Sequence, residues 1–267
     1  MALLRCIFVA LYLCYIVKNG YGYHSCQDLK IANPTLKSGK YSMYNGRGQQ
    51  YQVYCEFHCH YGYTFLSKST SENVDLKLLN PSRSEVLVRH MRSNGHQYDT
   101  WMKQITRHAS LPLSIQYNKN CDYATPINHA TMGPYLYLGF LPIHVARSRS
   151  IQGYMANYRD YTFRNCDSNP NSYLAFFINP NHRNPNGYYK RCCYSKLMRD
   201  WINVGKTASE YLPSDYFFQF EMHMGGCGGY AINGHNTLRD IVGAALGMRF
   251  ELPRRVQNET IICDSHQ

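Results

Sequence analysis

Cysteines constrain this chain more than any other residue type, because the segment that precedes them decides their redox state. The sequence opens Met1-Ala2-Leu3-Leu4-Arg5, continues with an apolar run from Cys6 to Val17, and reaches Lys18-Asn19-Gly20-Tyr21-Gly22. A short positive start, an apolar stretch of signal-peptide length and small residues at Gly20 and Gly22 read as a secretion leader over residues 1–22. That run is too short to span a bilayer, and no later segment is long and apolar enough, so the chain is not expected to be membrane-spanning. Eleven cysteines fall to nine once Cys6 and Cys14 leave with the leader: Cys26, Cys55, Cys59, Cys121, Cys166, Cys192, Cys193, Cys227 and Cys263. In an exported protein these are expected to form disulfides that reinforce a core. Nine is odd, so one thiol is free or bridges to another chain. The adjacent Cys192 and Cys193 are expected to bridge to two different partners, because a bond between neighbours strains the peptide between them.

Removing 22 residues from 267 leaves 245, ample for a hydrophobic core and read here as one extracellular domain over 23–252 followed by a basic tail, 253–267. The formal charge of +11 becomes +9 when Arg5 and Lys18 depart. The basic residues are scattered, with Arg147-Ser148-Arg149 and Lys190-Arg191 the densest spots. No run resembles a nucleic-acid arm, so nucleic acid is not an expected partner. Acidic polysaccharide or acidic matrix protein is, through an attraction that salt would screen. Twenty-five tyrosines fit amphipathic strands, because the ring packs while the hydroxyl stays wet.

Local signals place the elements. Ser25 can cap a short helix, Cys26 to Ala32, that stops before Asn33-Pro34. Strands are expected at Lys40–Tyr44 and Gln50–Phe57, joined by the turn Asn45-Gly46-Arg47-Gly48, and again at Tyr61–Lys68. Glu85 to Met91 alternates, with Val86, Val88 and His90 opposite Leu87, Arg89 and Met91. Tyr98, Trp101, Met102 and Ile105 recur at helical spacing and predict a helix over Tyr98–His108. Leu113–Tyr117, Tyr135–Leu141 and Leu174–Ile178 read as buried strands, the last bracketed by Asn169-Pro170 and Asn179-Pro180. Ser195 caps a predicted helix carrying Leu197, Met198, Trp201 and Ile202 and ending at Gly205. Phe217–Met224 alternates cleanly, Phe218, Phe220, Met222 and Met224 facing one way. Thr237 and Asp240 resemble a capping box opening a helix to Leu246, and a last strand is expected at Met248–Leu252. Strands and helices mix without regular alternation, which predicts an α+β class: β-rich, disulfide-bonded, with a few short amphipathic helices.

Catalytic signatures are missing from the sequence. It carries neither His-Glu-x-x-His, nor Gly-x-Ser-x-Gly, nor a P-loop. Gly226-Cys227-Gly228-Gly229-Tyr230-Ala231 matches Gly-x-Gly-x-x-Ala after a strand. However, the next predicted helix begins too late and the unit is not βαβ, so the glycines are read as a sharp turn around a disulfide. Cys55, His58, Cys59 and His60 lie close enough to suggest zinc. Oxidation competes for the thiols, and a strand would put the two histidines on the face opposite Cys59, so disulfides are preferred and no metal is expected. No calcium loop and no cofactor motif is present. Asn258-Glu259-Thr260 is a glycosylation sequon, and Arg254-Arg255 before it is read as part of the basic tail.

The stretch Cys26-x-Asp28-Leu29, Gly39-x-Tyr41, Val53-Tyr54-Cys55-Glu56 and Tyr61-Gly62-Tyr63-Thr64-Phe65 resembles the start of a fibrinogen C-terminal-type domain, with Tyr63 where that family has tryptophan. The resemblance implies a Cys26–Cys55 bridge. It covers 26–65 and does not extend to the calcium loop or ligand pocket of fibrinogen-type lectins. The same opening is similar to that of GON domains, which end with Cys-Gly-Gly before a final strand; here Gly226-Cys227-Gly228-Gly229 precedes Met248–Leu252, with an inserted helix expected between. Over its full length the chain resembles secreted proteins of the coral skeletal organic matrix, which implies an extracellular protein in or near mineral. Those proteins are often strongly acidic, and the basic charge here argues against mineral nucleation. The expectation is therefore a non-catalytic extracellular matrix component of a calcified skeleton that binds acidic glycans or matrix proteins. The alternatives are a fibrinogen-like carbohydrate-recognition module and, further off, an enzyme for which no residue trio can be named.

Overall fold

A computed structural model describes residues 22–74, 79, 85–103, 114–118, 135–139, 151–164, 173–178, 205–224, 228–231, 240–254 and 256. The elements are α1 Cys26–Ala32, β1 Gly39–Tyr44, β2 Gln50–Phe57, β3 Tyr61–Leu66, β4 Glu85–Arg92, β5 Gln97–Lys103, β6 Ser114–Asn118, β7 Tyr135–Gly139, β8 Ile151–Ala156, β9 Arg159–Arg164, β10 Tyr173–Phe177, β11 Lys206–Thr207, β12 Gln219–Met224, β13 Gly228–Ala231 and β14 Ile241–Glu251. Two compact units divide the chain: Met1–Pro81 with Phe250–Gln267, and Ser82–Arg249. The chain is strand-rich and disulfide-bonded. No helix among the described residues is long and apolar enough to cross a membrane.

In the first unit, local chemistry sets each boundary. The Ser25 hydroxyl accepts from the Asp28 N–H at 3.1 Å and donates to the Asp28 carboxylate at 2.8 Å, satisfying an orphan donor at the start of α1. The helix stops at Asn33, ahead of Pro34. β1, β2 and β3 form an antiparallel meander. At the β1–β2 turn, Asn45 Oδ1 accepts from the N–H groups of Arg47 and Gln49, both at 2.9 Å, and Gly48 takes φ +73°. Tyr51, Val53 and Cys55 alternate inward along β2 while Gln52 and Tyr54 are half-buried. Gly62 is required by close approach: a Cβ there would overlap the Phe250 ring and lie 2.6 Å from the Glu56 carbonyl oxygen. Lys30 is buried with its ammonium donating to the Leu36 carbonyl at 2.7 Å and standing 4.9 Å from the Phe57 ring centre; burial lowers its pKa.

The second unit holds two antiparallel sheets. In one, β14 pairs β4, β4 pairs β5, β5 pairs β8 and β8 pairs β9, with β11 on the early part of β5. The other runs β13-β12-β10-β7-β6. Phe176 stacks on Phe220 at 6.1 Å and meets Phe218 edge-on at 6.4 Å; all three are buried. Phe218 also bridges to Ala244 of β14 through paired backbone bonds of 2.8 and 2.9 Å.

Several expectations change here. Over 98–103 the helix predicted for Tyr98–His108 is instead strand β5, zipped residue by residue to β4 from Glu85↔Lys103 to Met91↔Gln97, while 104–108 lie outside the described residues. Successive side chains of β5 point to opposite faces, and buried residues occur on both, Gln97 and Asp99 on one and Thr100 and Met102 on the other, so apolar residues do not keep a two-residue period and their spacing imitates a helix. The helix expected up to Leu246 is β14, which starts at Ile241 and absorbs the expected last strand. Its ladder to β4 over Ile241–Met248 is a non-local pairing that overrides helix propensity. Among the described residues of that stretch, 228–231 and 240–248, there is no helix of the kind the GON comparison supposed. Gly228 and Gly229 lie in β13, antiparallel to β12, rather than in a turn. The helix expected at 195–205 falls outside the described residues up to 204, as does the leader up to 21.

Candidate binding surface

The disulfide framework comes first. Cys26 on α1 bonds Cys55 on β2, with Cα atoms 5.5 Å apart. Cys59 is disulfide-bonded as well. Cys121, Cys166, Cys192, Cys193, Cys227 and Cys263 lie outside the described residues, and so does Asn258. His58, Cys59 and His60 lie between β2, which ends at Phe57, and β3, which begins at Tyr61, so the strand geometry invoked to separate the two histidines from Cys59 does not apply to them. There the His58 ring stacks on Tyr61 at 4.7 Å, meets Tyr63 edge-on at 6.0 Å, and its Nε2 lies 2.9 Å from Oε1 of the buried Glu56. With Cys55 and Cys59 both in disulfides, this cluster braces a turn instead of presenting thiolates to a metal.

A second polar cluster lies within the other unit. Arg89 is completely buried. Its Nε and Nη2 donate to the two Asp99 carboxylate oxygens, the latter at 2.8 Å, and Nη1 donates to the Glu210 carbonyl at 2.9 Å. This fork-on-fork geometry is the strong form of the pair. Next to it, Gln97 Nε2 donates to the Leu212 carbonyl and its Oε1 accepts the Leu212 N–H, both at 2.8 Å. The His96 ring and the Tyr211 hydroxyl are 3.1 Å apart. These contacts fasten residues 206–212 along β5. On the opposite face of β4, His90 is buried and stacks on Tyr98 at 5.4 Å. Burial first, and the positive charge of Arg92 second, push its pKa down to about 4. Arg92 stands 5.0 Å from the Tyr98 ring centre and 3.3 Å from the Asp240 carboxylate.

A third cluster, of cations and rings, is built on β5, β11 and the β8–β9 turn of that sheet. β11 places Lys206 opposite Asp99, two residues before Trp101 on β5. Lys206 is exposed, with its ammonium 5.4 Å from the centre of the half-buried Trp101 ring. Beyond the end of β8, Asn157 takes over from the ladder: its N–H donates to the Trp101 carbonyl at 3.1 Å, and its Oδ1 accepts the Trp101 N–H at 2.9 Å. Asn157 and Tyr158 both have positive φ, +45° and +67°, the hallmark of a tight hairpin turn that matches strand twist. Tyr158 is 87% exposed, and Arg159, the first residue of β9, is exposed beside it. Two cations and two aromatic rings are thus carried by β5, β11 and the β8–β9 turn. Sequence reading missed this set. β8 and β9 were not recognised, the turn has no glycine to announce it, and Trp101 was assigned to a helix. The one available signal was Asn157 standing between two strand-length stretches.

No family model, curated protein or solved structure matches this chain.

Proposed function

We propose that the chain is a secreted, disulfide-bonded component of an extracellular matrix, of the calcified skeletal kind, that binds acidic glycans or acidic matrix proteins and performs no catalysis. The observation that supports it is the exposed Lys206 standing beside the half-buried Trp101 ring, together with the exposed Tyr158 and Arg159 at the β8–β9 turn, on a chain with formal charge +11. A cation held near an aromatic face keeps its charge available to an incoming anion while the ring offers apolar contact. The disulfides fit an oxidising destination. Retention of the purified protein on immobilised heparin tests this reading. Elution only well above about 0.15 M salt is expected, and loss of retention below that overturns it.

A fibrinogen-like carbohydrate-recognition module is the second reading. The observation on its side is the Cys26–Cys55 bridge, the pairing that resemblance implied. It differs in needing a pocket lined by aromatic and polar side chains, with or without calcium, so glycan-array binding that depends on calcium would favour it over the first.

A further inference from the structure

We propose that Tyr158 is the platform on which a sugar ring of the acidic glycan stacks, with Arg159 meeting the charged substituent of that ring. This rests on the glycan-binding reading above. The argument starts from the backbone. Tyr158 holds φ +67°, a region where a Cβ crowds the following carbonyl and where bulky residues are seldom found. Asparagine or glycine fits such a turn with less strain. The usual compensation for a misfit residue is burial, and Tyr158 is 87% exposed. Tyr51, Tyr63 and Tyr216, by contrast, are at most 2% exposed and belong to cores. Tyr211 is less exposed than Tyr158, at 50%.

Strain kept at an exposed aromatic is the pattern of a contact residue, not of a folding residue. The turn is also held firmly. Both Asn157 bonds go to the Trp101 backbone, so the ring at 158 is presented from a fixed base and little ordering is needed when a ligand arrives. A tyrosine ring offers a flat face to the axial C–H groups of a pyranose, and that contact is apolar, so salt does not screen it. Arg159, adjacent in the chain, can take a sulfate or carboxylate oxygen pair with its planar fork. Lys206 and Trp101 extend the same chemistry along β5.

The test separates ring stacking from charge. Wild-type protein is titrated with heparin and with inorganic polyphosphate of equal charge, which has no sugar ring. The wild type is expected to prefer heparin by roughly three- to tenfold, the range one aromatic contact supplies, and to keep that preference as salt rises. Tyr158→Gly removes the ring from a position glycine tolerates, and is expected to keep polyphosphate binding and lose the preference. Tyr158→Asn, which also suits this backbone, gives a second folded variant without the ring. Tyr158→Phe keeps the ring and is expected to keep the preference. Equal affinity of the wild type for both polymers, or an undiminished preference in the glycine and asparagine variants, overturns the assignment of Tyr158 while leaving glycan binding in place. Failure of the wild type to bind either polymer removes the glycan reading itself, and this proposal with it.

Discussion

The two compact units fasten a flanking segment to an antiparallel sheet by different chemistry. In the first unit α1 is tied to β2 by a covalent bond, Cys26–Cys55. In the second, residues 206–212 are tied to β4 and β5 by charge and hydrogen bonds: the Arg89 fork on Asp99, the Arg89 bond to the Glu210 carbonyl, and the amide of Gln97 closed on the Leu212 backbone. A covalent brace is indifferent to pH and salt and yields only to reduction. A buried polar brace is all-or-none, because losing one partner leaves the other stranded without water. The difference predicts that the units fail under different insults.

The largest expected effect is Arg89→Met. It leaves the Asp99 carboxylate buried without its counter-charge and should cost about 3–5 kcal/mol in chemical denaturation. Replacing both partners, Arg89→Met with Asp99→Leu, should recover most of that loss, because two apolar side chains need no solvation. Amide hydrogen exchange should localise the damage to β4, β5 and 206–212. A loss spread equally over α1 and β2 would break the contrast between the units.

Second is the covalent side. Cys26→Ala with Cys55→Ala frees a loop with a sequence separation of 29 and should cost about 3–4 kcal/mol, mainly through the unfolded chain. Exchange should now accelerate in α1 and β2. Reductant should destabilise the wild type further than this double variant, since only the wild type still has the bridge to lose.

Acid discriminates the units a third way. The His90 pKa falls from about 6.5 unfolded to about 4 folded. Between those values the unfolded chain binds a proton that the folded chain refuses. Stability supplied by neutral His90 is therefore complete above pH 6.5, is lost as pH falls toward 4, and levels off below that. At about 1.4 kcal/mol per unit the loss is on the order of 3 kcal/mol. Denaturation midpoints measured across that window should fall in the wild type and flatten in His90→Phe. A slope that survives the substitution would assign the acid sensitivity elsewhere.

The same contrast explains what the sequence discloses. α1, β1, β2 and β3 rest on signals within a few residues of one another: a serine cap, an Asn-Gly turn, one-sided alternation. Their starts and ends were legible to within two residues. β14 obeys a partner far away in the chain, Ala244 pairing with His90, and β5, though joined to β4 as a hairpin, meets the distant β8 and β11 along its other edge. Val86 to His90 on β4 are all buried, as are Gly243 to Met248 on β14. A strand buried on both faces loses the two-residue period, and the small residues Gly243, Ala244 and Ala245 then imitate a helix after a plausible cap. The basic character of the proposed surface is legible from composition. Its location is not, because Lys206 reaches Trp101 only through a two-residue strand, β11, too short to carry a pattern.

The smallest effects come from two turns, one in each unit, and they should have opposite signs. Gly48 in the β1–β2 turn sits at φ +73° with nothing within 4 Å of where a Cβ would go. Gly48→Ala therefore meets no neighbour, and its whole cost is backbone strain, about 1 kcal/mol. Tyr158 in the β8–β9 turn sits at φ +67° with a side chain already in place. Tyr158→Asn relieves strain of the same origin without the added unfolded-state freedom that glycine brings, so the variant should melt at or slightly above the wild-type temperature. The comparison is sharp because the backbone conformation is nearly shared and only the residue differs. If both substitutions destabilise, the tyrosine is there for the fold and its exposure is incidental. If only Gly48→Ala does, the first unit uses its turn to fold, and the second keeps a costlier turn to hold a ring in the solvent.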